Sequence, residues 1–121
     1  MTTRQIFEAI PENVRAVRHH VAATLKSEGC GGEALRNAVA CASEIATNAI
    51  VHGQGPISVT MWRNPNFHIE IEDCGEGTPH IVDADDGSER GRGLRVVGIL
   101  ASAWGVEPRD HGKAVWYEIA C

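Results

Sequence analysis

The chain lacks several things that would place it quickly. No apolar run in its 121 residues approaches the length of a membrane-spanning helix, which excludes a helical membrane protein. Basic side chains are in the minority, 11 Lys and Arg against 16 Asp and Glu, and a net charge of −5 leaves no electrostatic footprint for a nucleic acid backbone. The four cysteines, Cys30, Cys41, Cys74 and Cys121, include no C-x-x-C pair, and no charged-then-apolar leader stands ahead of Thr3, so free thiols in a reducing cytoplasm are expected. Neither a Walker A sequence nor G-x-G-x-x-G is present, which argues against P-loop and dinucleotide-binding chemistry. Asp83, Asp85 and Asp86 cluster without the rest of a calcium-binding loop and read as solvated acids. His19 and His20 have no further ligands at metal spacing and read as surface.

A chain of this length supports one domain over residues 1–121, with a core that needs no metal or disulfide staple. Thr3 to Ile10 reads as a short strand. Pro11 suits the first turn of a helix running to about Glu28, with Val14, Val17, Val21 and Leu25 as its apolar stripe. Gly29, Gly31 and Gly32 break the chain before a second helix from about Glu33 to His52, whose Leu35, Val39, Ala42, Ile45, Ala46 and Ala49 face a core. Ile57, Val59 and Met61 alternate with polar neighbours, as do Phe67, Ile69 and Ile71 beyond Asn64-Pro65-Asn66, which predicts a hairpin. Thr78 to Arg92 shows no sustained periodicity and reads as a mobile loop of the kind that forms lids. Gly91-Arg92-Gly93 then opens a helix buried through Leu94, Val97, Ile99 and Leu100, and such a glycine-rich N-terminus is a ready anion site. A final hairpin, Trp104 to Pro108 and Lys113 to Ala120, turns at Arg109 to Gly112 and puts Val115, Tyr117 and Ile119 on one face.

Two polar features stand out against this frame. Glu44, Asn48 and His52 climb one edge of the second helix a turn at a time, outside its apolar stripe. By themselves they would be ordinary solvated groups, and His52-Gly53 an ordinary helix ending with glycine in the left-handed position. Asp73 has the strand parity of Phe67, Ile69 and Ile71, so it should point inward, where a carboxylate needs partners. Gly75 and Gly77 follow at once and let the backbone come close to something.

E-x-x-x-N on a helix, D-x-G-x-G after a strand, a flexible loop and G-x-G-L opening a helix, in that order, resemble the GHKL ATP-binding fold shared by gyrase, histidine kinases and MutL. Within it the chain is most similar to the anti-sigma factor serine/threonine kinases, from the Pro11 helix to the last strand. The resemblance implies an α+β, two-layer sandwich of the histidine-kinase-like ATPase type, a mixed, mostly antiparallel sheet packed on about three helices with a mobile ATP lid. It implies ATP and Mg²⁺ as ligands, with Asn48 on the metal, Glu44 as general base and Asp73 accepting from the adenine amino group. Gly75 and Gly77 would pass against the base, Gly91, Arg92, Gly93 and Leu94 would form the lid hinge and phosphate-facing helix start, and Arg90 would reach the γ-phosphate. Where the family often carries Thr or Ser in the final strand this chain has Ala114, a departure that would weaken the hold on adenine. The implied partners are a sigma factor and an anti-sigma factor antagonist, with neither nucleic acid nor membrane, and homodimerisation is left open. A non-catalytic ATP-binding or partner-binding module of the same fold is the alternative function.

Overall fold

Alternation along the strands and helical periodicity between them give two layers. The computed structural model describes residues 1–74 and 89–121, with backbone alone for residues 89–93. In chain order the elements are β1 (Thr2–Phe7), α1 (Asn13–Ser27), α2 (Gly32–His52), β2 (Ile57–Arg63), β3 (Phe67–Asp73), α3 (Glu89–Leu100), β4 (Ala103–Arg109) and β5 (Gly112–Ile119). The strands form one sheet in the order β1-β2-β3-β5-β4. Each neighbouring pair is antiparallel, so among the described residues the sheet is not mixed. None of the described helices is long and apolar enough to cross a membrane.

One face of the sheet carries the core. Ile57, Val59 and Met61 of β2, Phe67, Ile69 and Ile71 of β3, and Tyr117 and Ile119 of β5 are buried there. α2 is the central helix, packing on α1, on α3 and on β2, β3 and β5. Its small side chains, Ala38, Ala42, Ala46 and Ala49, bring the helix close to the sheet, and Cys41 and Ile45 complete the stripe. Tyr117, fully buried, donates its hydroxyl to the Ala38 carbonyl at 2.8 Å, which satisfies its one polar atom and keeps its pKa well above the usual value through burial.

The opposite face carries a stack of rings. His68 lies between Trp62 and Trp116, with ring centroids 3.9 and 5.3 Å away. Beside the stack, Arg109 donates to Glu107 at 2.6 Å, Glu70 at 2.9 Å and Glu72 at 3.1 Å, a half-exposed clamp across three strands.

Several expectations are corrected. The first strand stops at Phe7, and Pro11 lies in the turn ahead of α1 rather than within it. Val39 is half-buried and lines a groove of about 590 Å³ between α1 and α2, as does Leu35, which also packs against the core; Ala38 and Cys41 are fully buried on the same helix. α3 begins at Glu89, so residues 89–92 belong to a helix and not to the preceding loop. Ile99 is 79% exposed, since a residue two places beyond the buried Val97 lies roughly 200° round the helix. Gly53 has φ −91° and is not left-handed. Arg109 and Gly112 pair as strand residues, which shortens the last turn to Asp110 and His111.

The cysteines are not all free. Cys30 and Cys121 form a disulfide across a separation of 91 residues, while Cys41 is buried and reduced and Cys74 exposed and reduced. The register explains the meeting. Phe67 pairs with Ile119, and Arg63 at the same end of the sheet donates to the Glu28 carbonyl at 2.9 Å, so the end of α1 and the end of β5 arrive together.

Candidate functional site

The other end of the sheet gathers the polar residues. Asp73, the last residue of β3, is 3% exposed and on the core face, as its parity requires. The carboxylate lies against the C-terminus of α2. A Cβ on Gly53 would stand 2.8 Å from Asp73 Cγ and 3.0 Å from Oδ2, and would also strike the Ala49 carbonyl oxygen. From the other side β5 closes in, where a Cβ on Gly112 would run into the Asp73 backbone oxygen. Cys74 N–H donates to the Gln54 carbonyl at 2.9 Å, fastening the segment after α2 to the end of β3. Glycines at 53 and 112 are therefore what allow a helix end to lie against the Asp73 carboxylate and a strand start to lie against its backbone.

Lys113 completes this cluster. It is the Cα partner of Asp73 on the last rung between β3 and β5, and its Nζ lies 3.5 Å from Asp73 Oδ2 with the side chain 15% exposed. Ala114 does not come to the carboxylate. It is opposite Glu72 and Glu107, on the face away from the helices, fully buried between two acids that Arg109 holds. A small side chain suits that place. Sequence reasoning missed Lys113, although the signal was present: it shares the parity of Val115, Tyr117 and Ile119.

Glu44 and Asn48 are half-buried on α2, one turn apart, leading toward its C-terminal end. Glu44 lines the groove between α1 and α2, together with Arg18, Lys26 and Arg36. Its charge is felt by Cys41, whose thiol is pushed up to about 11, first by burial and second by the Glu44 carboxylate. His52, at the end of the same helix, is exposed. Leu94 is buried within α3. Arg90, Gly91, Arg92 and Gly93 fall in the first turns of α3, where only the backbone is described, and Gly75, Gly77 and the expected lid lie outside the described residues.

The donor set suits a hard cation that keeps most of its other ligands. Among the described residues no group of three or more His, Cys, Asp or Glu could hold a metal, whereas Asn48 carries an amide oxygen one helical turn from Glu44 on α2. Magnesium takes one or two protein oxygens with phosphate oxygens and water.

A family model described as a histidine kinase-like ATPase domain matches residues 7–119. The chain belongs to the histidine kinase-like ATPase family. The five-stranded antiparallel sheet and three helices are that fold, and ATP binding is what the domain is built for. Among solved structures, that of the RsbU and RsbW domains of Rv1364c from Mycobacterium tuberculosis is similar, with a TM-score of 0.78 and 18% identity over 99% of this chain. The chain spans 32% of that structure's length. None of the curated proteins matches it.

Proposed function

We propose that this histidine kinase-like ATPase domain is an ATP-dependent protein serine/threonine kinase acting as an anti-sigma factor, one that holds a sigma factor and phosphorylates an anti-sigma factor antagonist. Membership of the family supports ATP as substrate, and the likeness to a fold that includes an RsbW domain, with the motif resemblance, supports the sigma-factor setting. The observation that carries the kinase assignment is the position of Glu44. It borders a surface groove open to a protein partner and lies one helical turn from Asn48, on the helix whose end meets Asp73.

In this proposal Asp73 accepts a hydrogen bond from the adenine amino group and fixes the base. Asn48 would hold Mg²⁺ through its amide oxygen, and the ion when bound offsets the negative charge of the phosphates. Glu44 takes the proton from the incoming serine or threonine hydroxyl as that oxygen bonds to the γ-phosphorus and the bond from phosphorus to the bridging oxygen breaks, releasing ADP. Arg18, Lys26 and Arg36 give the groove a basic rim suited to an acidic partner surface.

Glu44→Gln tests it, because the amide keeps size and polarity but cannot act as base. Transfer of labelled γ-phosphate to the antagonist co-purified from the native host should fall by about 10²–10⁴ while ATP binding persists. Wild type that binds ATP and its partner yet transfers nothing would make the chain a non-catalytic module. Undiminished transfer by Glu44→Gln would remove Glu44 from the role of base.

A further inference from the structure

We infer that Lys113 is a second base-reading residue, donating from its ammonium to the adenine ring nitrogen N1 beside the amino group that Asp73 accepts. The inference rests on the ATP-binding assignment above and specifies how the base is read. Asp73 and Lys113 are cross-strand partners, so their side chains emerge next to each other from the end of the sheet on the face that the helices cover. Acceptor and donor stand side by side there. The Watson–Crick edge of adenine presents the complement, a donor amino group next to an acceptor nitrogen.

The pair is close without being closed. At 3.5 Å the Nζ to Oδ2 separation exceeds the roughly 2.7–2.9 Å of a direct charge-assisted hydrogen bond, so the two groups meet as an ion pair. An ammonium has three donors and a carboxylate two oxygens with several acceptor directions. Both groups are largely removed from water, with side chains 15% and 3% exposed, which favours a ligand that engages both at once over one that engages either alone. No hydroxyl is needed on β5, because the lysine reaches the base edge from the position that faces it.

Calorimetric titration with ATP and 1-deaza-ATP, which has C–H in place of N1, tests the assignment without any mutation. Wild type should bind ATP about tenfold to a hundredfold more tightly. In Lys113→Met the two nucleotides should bind alike, and in Lys113→Gln, which retains a neutral donor and guards against misfolding around an uncompensated Asp73, the gap should be intermediate. Equal binding of the two by wild type, or a gap that survives in both variants, overturns the inference and leaves ATP binding standing. Tighter binding of GTP than ATP would put the ammonium on the guanine O6 and overturn the adenine assignment. Folded wild type that binds neither ATP nor 1-deaza-ATP would overturn the ATP-binding assignment itself, and this inference with it.

Discussion

Gly53→Ala should injure stability and nucleotide binding together, and the structure says why. With φ −91° and ψ −170° the backbone suits alanine, so any effect comes from contact and not from strain. The added methyl would lie 2.8 Å from Asp73 Cγ and 3.0 Å from Oδ2 and would meet the Ala49 carbonyl oxygen, the acceptor of the last α2 hydrogen bond at 3.0 Å from Gly53 N. Overpacking of this kind costs about 1–3 kcal/mol. With an unfolding entropy of about 2.1 cal/mol/K per residue, 121 residues give about 0.25 kcal/mol/K, so Tm should fall by about 4–12 °C. If the Asp73 carboxylate yields, the hydrogen bond proposed between it and adenine would weaken, and ATP affinity should drop about threefold to tenfold. Gly31 at the other end of α2 is the control, since a Cβ there meets nothing within 4 Å and Gly31→Ala loses only cap preference, below about 1 kcal/mol. Thermal unfolding and calorimetric titration of the three proteins decide the matter. A Gly53→Ala protein as stable as wild type refutes the packing argument, and one that loses stability but binds ATP undiminished severs Asp73 from the base.

Asn48→Ala should reduce ATP affinity in Mg²⁺ to the level measured in EDTA; if wild type binds equally in both conditions, the metal assignment is wrong. Tyr117→Phe removes one buried hydrogen bond while the Ala38 carbonyl keeps its helical partner, so unfolding should show a loss of about 0.5–1.5 kcal/mol, and no loss would mean that the 2.8 Å contact contributes nothing. Stability should rise with pH through the histidine range. Burial lowers the pKa of His20, and burial lowers that of His68 against the opposing pull of Glu118, Glu70 and Glu107. The unfolded chain therefore binds more protons near pH 6.5, and stability present above that pH is lost as pH falls through it toward the lowered values. Tm measured from about pH 7.5 down to about pH 5 should decline, with a shallower slope in His68→Gln, and a flat profile would contradict both shifts.

What local periodicity can encode was legible in the sequence. Asp73 was placed inward by counting along β3 from Phe67, and it is 3% exposed. Both hairpins and all three helices followed from the same kind of count. Failures came where position depends on chain segments far apart. Cys30 and Cys121 carry no spacing signal, because only the assembled sheet brings the end of α1 and the end of β5 together. Ala114 came from the family resemblance, and strand parity puts it on the face away from Asp73, with Lys113 on the same face as Asp73. Val39 fits a helical stripe but borders a groove, since α1 covers α2 incompletely. No pattern in one helix reveals how much of it a neighbour leaves open.

The placement of Asp73 carries a physical consequence for the proposed site. A buried carboxylate at the C-terminal end of a helix faces the negative end of the helix dipole, the least favourable terminus for an acid. The three acids that Arg109 gathers on the other face avoid this cost: Glu107 and Glu72 are well exposed, with side chains 52% and 36% accessible, and all three bond the guanidinium directly. Asp73 is buried, and the ammonium beside it is the looser Lys113 at 3.5 Å. Replacing a buried ion pair by apolar groups is often neutral or stabilising, so stability alone does not call for an acid at this rung. In the proposed site the acid is kept there to accept from a donor on the ligand. The adenine amino group would be such a donor, and its neutrality would let it bind Asp73 without displacing the charge balance that Lys113 provides.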